Sequence, residues 1–229
     1  MELQGDDLYR QRFAGVSQHK RAAMWQVVCR TVLQRYIKSS DTVVDLGAGS
    51  CEFINHIVCE HKVAIDTNPA VREHAGSEVN VIVGDIQKIL GRLADTTVNV
   101  VFCSNFLEHL RDKGTVLAVL REVYRLLAPG GRLIVIQPNI RYAYKEYWDF
   151  FDHRVPLSHA SLSEAVRLVG FVVEEVRPRF LPYTTKSRLP QAVWLVRLYL
   201  ALRPAQWLLG KQMLLIARRP SLTPGESPP

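Results

Sequence analysis

Residues 43–53, VVDLGAGSCEF, constrain the fold more than any other stretch of the chain. Two valines lead into Asp45, and Gly47 and Gly49 follow at alternate positions. This pattern is typical of a buried parallel strand that ends in a glycine turn and opens a helix, where a ligand can approach the backbone and bind free N–H groups. A second acid, Asp66, follows about twenty residues on, where a doubly wound fold binds ribose hydroxyls.

Short β-branched segments bounded by turn residues predict a series of strands separated by helices. The predicted strands cover residues 42–46, 62–66, 79–83, 98–103, 131–137, 171–176 and 211–217. A helix at 115–127 is expected to end at the turn formed by residues 128–131. Alternating strands and helices with continuous apolar strands predict an α/β fold, a Rossmann-like sheet of seven mostly parallel strands with helices on both faces.

The segments outside these strands divide the chain into a cap, a central domain and a tail. An amphipathic helix at 19–37 is expected to lie over the ligand cleft, so residues 1–40 form an N-terminal helical cap. The central domain covers residues 41–219, and within it the aromatic, aperiodic segment 139–157 is interpreted as a substrate cap. A helix at 158–169 follows, with Ser158 or Ser161 as N-cap and Gly170 as its end. Residues 220–229 have the composition of a disordered tail.

The composition fits one α/β domain with an appendage, because the 229 residues are 48% apolar. The four cysteines lack metal-site spacing, and no apolar stretch reaches the roughly 20 residues of a membrane span. We therefore predict a reduced, cytoplasmic protein. The net charge of +7 is concentrated after Val176, where nine basic residues accompany one acid, Glu226.

Four motifs occur in series: VVDLGAGSCEF at 43–53, VIVGDI at 81–86, VVFCSNFLEHL at 100–110 and LLAPGGRLIVIQPN at 126–139. Their order and spacing resemble those of class I S-adenosylmethionine-dependent methyltransferases, over roughly residues 40–180. The third glycine of the dinucleotide fingerprint is missing, and Cys51 and Glu52 occupy that region. The resemblance implies S-adenosylmethionine as cofactor and an antiparallel last strand.

The resemblance also assigns the cofactor contacts. The glycine turn is expected to contact the methionine part, and Asp45 its cationic amino group. Asp66 is expected to accept hydrogen bonds from the ribose, and Asp85 one from the adenine amino group; an ordinary tight turn and a helix N-cap are the alternative roles of the glycines and of Asp85. The predicted cofactor-binding residues are Asp45, Gly47, Ala48, Gly49, Asp66, Thr67, Asn68, Asp85, Ile86, Ser104 and Asn105.

A hydroxyl acceptor needs a positioned base that removes its proton. His109 is the first candidate, because it follows the fourth strand and histidine titrates near neutral pH. A purely structural histidine is the alternative. Asp152 and His153 form a candidate acid–base pair in the substrate cap, with an exposed surface loop as the alternative. His159 in the same region is a weaker candidate.

The chain lacks motif residues of two related methyltransferase families, and each difference argues against one kind of chemistry. Ubiquinone-pathway O-methyltransferases resemble this region and carry an acid where this chain has Asn105, before a Glu-His pair that matches Glu108 and His109. Because one hard oxygen ligand is lost, we predict no bound metal. Enzymes that methylate adenine amines or glutamine amides share an Asn/Asp-Pro-Pro-aromatic motif, which Ser104-Asn105-Phe106 lacks, so a nucleic-acid partner is not expected.

The stretches DHRVPLSHASLSEAVRLVGF and RFLPYTTKSRLP resemble bacterial methyltransferases of polysaccharide, glycolipid and natural-product assembly. This implies methyl transfer to a hydroxyl of a small molecule, sugar or glycolipid intermediate. An N, C or carboxylate acceptor and a non-catalytic scaffold remain open. Six side chains are suited to such acceptors: the aromatic ones can stack on rings, and the basic ones can hold a phosphate or carboxylate. Simple packing of a lid is the alternative role of the aromatic ones. The six residues are Tyr142, Tyr144, Tyr147, Trp148, Lys186 and Arg188.

Residues 177–210 form an insertion before the last strand. Its centre, residues 191–202, is apolar almost all round, with Arg197 as the main interruption. So many apolar side chains must contact the domain core, a second subunit, a lipid surface or an apolar substrate. We favour a lid or a homodimer contact over peripheral contact with the inner face of the membrane.

Overall fold

A seven-stranded sheet forms the centre of the molecule, in a computed structural model that describes residues 18–183 and 192–221. The strands are β1 (Thr42–Leu46), β2 (His61–Asp66), β3 (Val79–Val83), β4 (Val98–Ser104), β5 (Leu127–Pro138), β6 (Val172–Leu181) and β7 (Gln212–Arg218). Their order is β3-β2-β1-β4-β5-β7-β6. Strands β1 to β5 pair in parallel, and β7 runs antiparallel to β5 and β6. The predicted α/β, Rossmann-like sheet is therefore confirmed.

Helices cover both faces of the sheet, and each face has its own apolar core. The helices are α1 (Gln18–Val28), α2 (Val71–His74), α3 (Ile86–Leu90), α4 (Lys113–Leu126), α5 (Ile140–Tyr147), α6 (His159–Val169), α7 (Val193–Ala201) and α8 (Arg203–Leu209). One core packs α4 and α6 on the strands through residues such as Val123 and Val166. The other contains Leu33 from the segment after α1 and Ile54 from the segment after β1.

Helix α6 begins and ends where the sequence predicts. The Ser158 hydroxyl accepts from the Ser161 N–H, and the Ser161 hydroxyl accepts in return from the Ser158 N–H. This capping box makes Ser158 the N-cap. Gly170 ends the helix with φ +107°, a conformation that glycine adopts without strain.

The segment after the glycine turn differs from the prediction. Residues 52–56 form turns rather than a regular helix. Cys51 has φ +58°, in the left-handed region that a right-handed helix does not include. The Asn55 side chain donates to the His74 carbonyl (2.8 Å) and accepts from the Gly76 N–H (2.9 Å). The segment is thereby attached to the end of α2, and the glycine turn itself supplies the backbone groups at the site.

Several predicted boundaries also shift. Strand β6 ends at Leu181 instead of residue 176, so the insertion begins later than residue 177. The helix predicted at 19–37 is α-helical only to Val28, and π-helical (Cys29–Leu33) and 3₁₀ (Gln34–Tyr36) turns follow. The Thr31 hydroxyl donates to the Val27 carbonyl at 2.7 Å, a local bond that competes with the helical ladder. Strand β5 begins at Leu127 instead of residue 131, because residues 128–131 bulge between two points of pairing with β4.

Two segments contain helices that were not predicted from the sequence. The substrate cap, described as aperiodic, contains α5, whose N-cap Asn139 accepts from the Arg141 N–H. The insertion forms two helices, α7 and α8, where one apolar stretch was predicted. In the described ranges, no helix is both long and apolar enough to cross a bilayer.

The carboxyl ends of the parallel strands meet at one edge of the sheet. Strand β1 lies between β2 and β4, so the chain order reverses beside β1. Ligands of open α/β sheets bind outside the strand ends at such a reversal. The residues that follow β1, β2, β3 and β4 therefore define the candidate site.

Candidate functional site at the strand ends

The glycine turn after β1 is held by groups at the end of β2. Gly47 and Gly49 have φ +68° and +52°. The Gly47 N–H donates to the Ile65 carbonyl, and the Gly49 N–H donates to Oδ2 of Asp66, each at 2.8 Å. The Phe106 ring covers Gly47, and a Cβ added there would lie 2.9 Å from a ring carbon. Backbone conformation and close packing both require glycine at this position.

Asp66 also organises the loop after β2. Its Oδ1 accepts from the Asn68 N–H at 2.8 Å, and the Asn68 side chain accepts from the Ala70 N–H at 2.9 Å. Thr67 is exposed between them, and Ala48 is buried in the neighbouring glycine turn. A carboxylate oxygen can accept more than one hydrogen bond, so Asp66 retains acceptor capacity for hydroxyls. Its contact with ribose stays a prediction.

Three carboxylates interact electrostatically around the glycine turn. Asp45 is buried in β1; burial raises its pKa well above the usual range, and the charges of Asp66 and Glu52 raise the pKa further. The Ile54 N–H donates to Asp45 and offsets part of this effect. Glu52 forms an ion pair with Arg21 of α1, so α1 contacts this loop, and its position over the ligand cleft stays a prediction. A cation bound beside these carboxylates would favour their ionised forms, so the site is electrostatically suited to a cationic ligand.

The ends of β3 and β4 carry the other predicted cofactor residues. Asp85 is exposed and accepts from the Lys88 N–H at 3.2 Å, so it is the N-cap of α3, while Ile86 is buried. Asp85 thus has the helix N-cap role that was the alternative to cofactor binding, and its contact with the adenine amino group stays a prediction. Asn105 has φ +48° and donates its backbone N–H to β5, so the chain leaves β4 just after Ser104.

The three predicted catalytic residues lie together beside the end of β4. His109 ends a 3₁₀ turn (Leu107–His109), and its Nδ1 lies 3.1 Å from Oδ2 of Asp152 and 3.3 Å from the Asp152 carbonyl. The His109 and His153 rings lie 5.0 Å apart. Burial lowers the pKa of His109, but the hydrogen bond to Asp152 and the charges of Glu108 and Asp152 outweigh burial and raise it overall.

Asp152 has a partner that the sequence did not suggest. The ion pair in the structure joins Asp152 to His109, whereas the sequence suggested Asp152 with His153. His153 is buried, with the Tyr147 and Phe150 rings 4.6 and 4.9 Å away, so the surface-loop alternative is wrong for it. Tyr147 is itself buried and donates to the Val155 carbonyl.

Glu108 is the residue that the sequence placed least well. It is buried, and potential ligand atoms of Glu108, His109 and His153 lie within 4.8 Å of one another. From the sequence alone, Glu108 is a candidate only for a metal ligand. Its position next to His109 in the chain is the signal that could have assigned it to the site. A carboxylate and two imidazoles are groups that divalent transition metals accept. The absence of a bound metal stays a prediction.

Of the other predicted residues of the substrate cap, some pack against neighbouring side chains and others are exposed. Tyr142 stacks with His159 at 6.3 Å, and the Arg179 guanidinium lies 4.2 Å from the Tyr142 ring. Tyr144 and Trp148 are exposed. The remaining predicted acceptor residues, Lys186 and Arg188, lie outside the described residues.

A profile described as a methyltransferase domain matches residues 44–135, the segment from β1 to β5 that carries the glycine turn, Asp66 and His109. Within this segment the chain is therefore similar to a methyltransferase domain, and its seven-stranded sheet has the Rossmann-like fold of class I methyltransferases. S-adenosylmethionine is accordingly its cofactor. The site fits this molecule, because the glycine turn lets a ligand approach the backbone, Asp66 can accept from hydroxyls, and the buried Asp45 lies close enough to Asp66 and Glu52 for their charges to interact, an arrangement suited to a cation.

Solved structures share the fold of the methyltransferase domain. An S-adenosylmethionine-dependent methyltransferase from Archaeoglobus fulgidus aligns with a TM-score of 0.68 at 20% identity, over 94% of this chain and all of the other. The [4+2]-cyclase SpnF aligns with a TM-score of 0.57 at 19% identity, over 89% and 81%. Similarity at this level shows the fold, and a cyclase among these structures shows that the fold alone does not fix the reaction.

A sequence relative of the methyltransferase domain is the ribosomal protein L11 methyltransferase of Geobacillus thermodenitrificans, 29% identical over 121 residues. The alignment covers 47% of this chain and only 35% of the relative. The shared part is therefore about a third of the relative's length.

Proposed function

We propose that this chain transfers the methyl group of S-adenosylmethionine to a hydroxyl of a small molecule, sugar or glycolipid intermediate. The observation that carries the proposal is the contact of His109 with Asp152 beside the end of β4. The His109 N–H donates to the carbonyl of Phe106, the residue whose ring covers the glycine turn. A hydroxyl is a weak nucleophile until a base removes its proton, and this pair provides the base.

The contacts of His109 support a catalytic role for one of its two ring nitrogens. Two acceptors, the Asp152 carboxylate and carbonyl, face Nδ1, so Nδ1 carries the proton in the neutral ring and Nε2 has the free electron pair. Nε2 removes the hydroxyl proton as the oxygen attacks, and the Asp152 carboxylate stabilises the resulting imidazolium. Bound S-adenosylmethionine supplies the methyl carbon, whose bond to sulfur breaks as the bond to oxygen forms and leaves a neutral thioether.

An amine of a protein is the second candidate acceptor. It is supported by the relative that is named as a ribosomal protein L11 methyltransferase, which aligns over about half of this chain. An amine that is already neutral needs positioning more than a base. Loss of His109 would then reduce turnover much less than it does for a hydroxyl.

Cofactor binding is tested first, by calorimetric titration with S-adenosylmethionine and S-adenosylhomocysteine. We expect micromolar affinity for the wild type. The variant Asp66→Ala should lose this binding, because it removes the carboxylate that would accept from the ribose hydroxyls and that also accepts from the Gly49 N–H. The variant Asp149→Ala, which removes an exposed acid in the substrate cap, is the matched control. A folded wild type that binds neither ligand would contradict the proposal.

Acceptor class is tested by formation of S-adenosylhomocysteine with panels of hydroxylated sugars, glycolipids and, separately, ribosomal protein L11. We expect turnover with a hydroxyl acceptor and a loss of about 10²- to 10⁴-fold in His109→Gln, with cofactor affinity unchanged. Turnover with L11 alone supports the second candidate. Cofactor binding without turnover on either panel supports the scaffold hypothesis.

A further inference from the structure

Large apolar side chains are exposed along the two insertion helices. Trp194, Trp207 and Leu208 are 65%, 71% and 70% exposed. Most of the remaining large exposed apolar side chains in the described residues also belong to α7, α8 or the substrate cap. We call the following set the insertion surface: Val193, Trp194, Leu198, Leu202, Trp207, Leu208 and Leu209. Large exposed apolar groups concentrated on two helices that pack together mark an interaction site.

The charges along the insertion surface have one sign. Residues 192–211 contain Arg197, Arg203 and Lys211 and no acidic residue. Lys211 is paired with Glu146 of α5. Arg197 and Arg203 are exposed, and neither forms an ion pair with another described residue. Two arginines thus lie among apolar side chains without a compensating carboxylate.

This charge pattern discriminates between the partners that could cover the surface. In a two-fold dimer the same surface meets itself, so the arginines of both copies would be brought together without an acid to pair them. A lid over the cofactor site would not leave both tryptophans mostly exposed. An anionic bilayer satisfies both features, because leucines enter the acyl region, tryptophans lie at the headgroup level and arginines contact phosphates.

We propose that α7 and α8 bind the surface of an anionic membrane, with the insertion surface embedded in one leaflet. The inner helical faces attach the insertion to the domain: the Tyr199 hydroxyl donates to the Phe180 carbonyl at 2.8 Å, and Gln206 is buried. The methyltransferase domain is thereby held at the surface of the bilayer. The attachment does not depend on which acceptor the domain methylates.

The proposal is tested by sedimentation of the full chain with vesicles of phosphatidylglycerol and phosphatidylcholine in equal parts, and of phosphatidylcholine alone. We expect sedimentation with the anionic vesicles, weakened by high salt, because exposed charges are screened. The double variant Arg197→Glu/Arg203→Glu should lower the bound fraction about tenfold, and Trp194→Ser/Trp207→Ser should do the same.

Matched controls separate the insertion surface from general charge and hydrophobicity. Arg92→Glu changes an exposed charge in the loop after α3, and Leu168→Ser removes an exposed apolar side chain of α6. Both should sediment like the wild type. All variants should retain the wild-type affinity for S-adenosylmethionine, which shows that they are folded.

Three outcomes would overturn the proposal. The wild type does not sediment with anionic vesicles; the insertion variants sediment as well as the controls; or the wild type is a dimer in solution that the tryptophan variant converts to a monomer while vesicle binding is absent. The last outcome assigns the insertion surface to a second copy of the chain.

Discussion

Nδ1 of His109 lies 3.1 Å from the Asp152 carboxylate, although the two residues are 43 positions apart in the chain. The backbone reinforces the contact, because the Arg154 and Val155 N–H groups both donate to the Glu108 carbonyl. The substrate cap is therefore attached directly to the turn that carries His109. This attachment aligns a histidine at the strand end with an acid on a separate segment.

The pH dependence of turnover should reveal this pair. A general base must be unprotonated, and the raised pKa of His109 places the rise of kcat/KM at a higher pH than for an ordinary histidine. In Asp152→Asn the carboxylate charge is gone, the pKa falls, and the rise moves to lower pH with a lower plateau. We expect the control Asp149→Asn to keep the wild-type profile. Superimposable profiles for Asp152→Asn and the wild type would exclude the pair as the base.

The cofactor half of the site could be predicted from the sequence because it depends on local patterns. Alternate glycines after a buried strand, and an acid at the tip of the next strand, fix both conformation and position within a parallel sheet. The contact between Gly49 and Asp66 follows directly from the pairing of β1 with β2.

The remaining features depend on contacts that no local pattern encodes. The missing helix after the glycine turn results from the left-handed conformation of Cys51, a residue type that seldom adopts it. The Arg21–Glu52 ion pair and the His109–Asp152 contact join segments far apart in sequence. Aromatic content obscured α5, because Tyr147 packs inward while Tyr144 stays exposed on the same short helix.

Asp85 offers a test that separates capping from cofactor binding. Serine caps a helix about as well as aspartate but is too short to reach a ligand through a carboxylate. We expect Asp85→Ser to keep the wild-type thermal stability while S-adenosylmethionine affinity falls by about tenfold, the loss of one hydrogen bond. Asp85→Ala should show the same affinity loss and, in addition, about 1 kcal/mol of lost stability. Wild-type affinity in Asp85→Ser would leave Asp85 with the capping role only.

Glycine at position 47 is predicted to be required for both stability and binding. In Gly47→Ala the residue must keep φ +68°, which costs roughly 1–2 kcal/mol, and its Cβ contacts the Phe106 ring too closely. Urea unfolding should show a destabilised protein, and calorimetry a loss of cofactor affinity. Gly91→Ala is the matched control: Gly91 has φ −63°, its added Cβ has ordinary contacts, and stability should rise by about 0.4–1 kcal/mol. Equal tolerance of both changes would contradict the conformation of the turn.

Asp45 is predicted to reduce stability in the free protein and to strengthen cofactor binding. Because burial raises its pKa in the folded state, ionisation of Asp45 costs stability as the pH rises above the usual carboxyl range. Asparagine does not titrate and can still accept from the Ile54 N–H. The variant Asp45→Asn should therefore match the wild type at acid pH and unfold at a higher temperature at neutral pH. S-adenosylmethionine, a cation, should raise the Tm of Asp45→Asn less than that of the wild type. The measurement is Tm against pH with and without cofactor. A variant that is less stable than the wild type at neutral pH alone would mean that the ionised carboxylate is already compensated in the free protein.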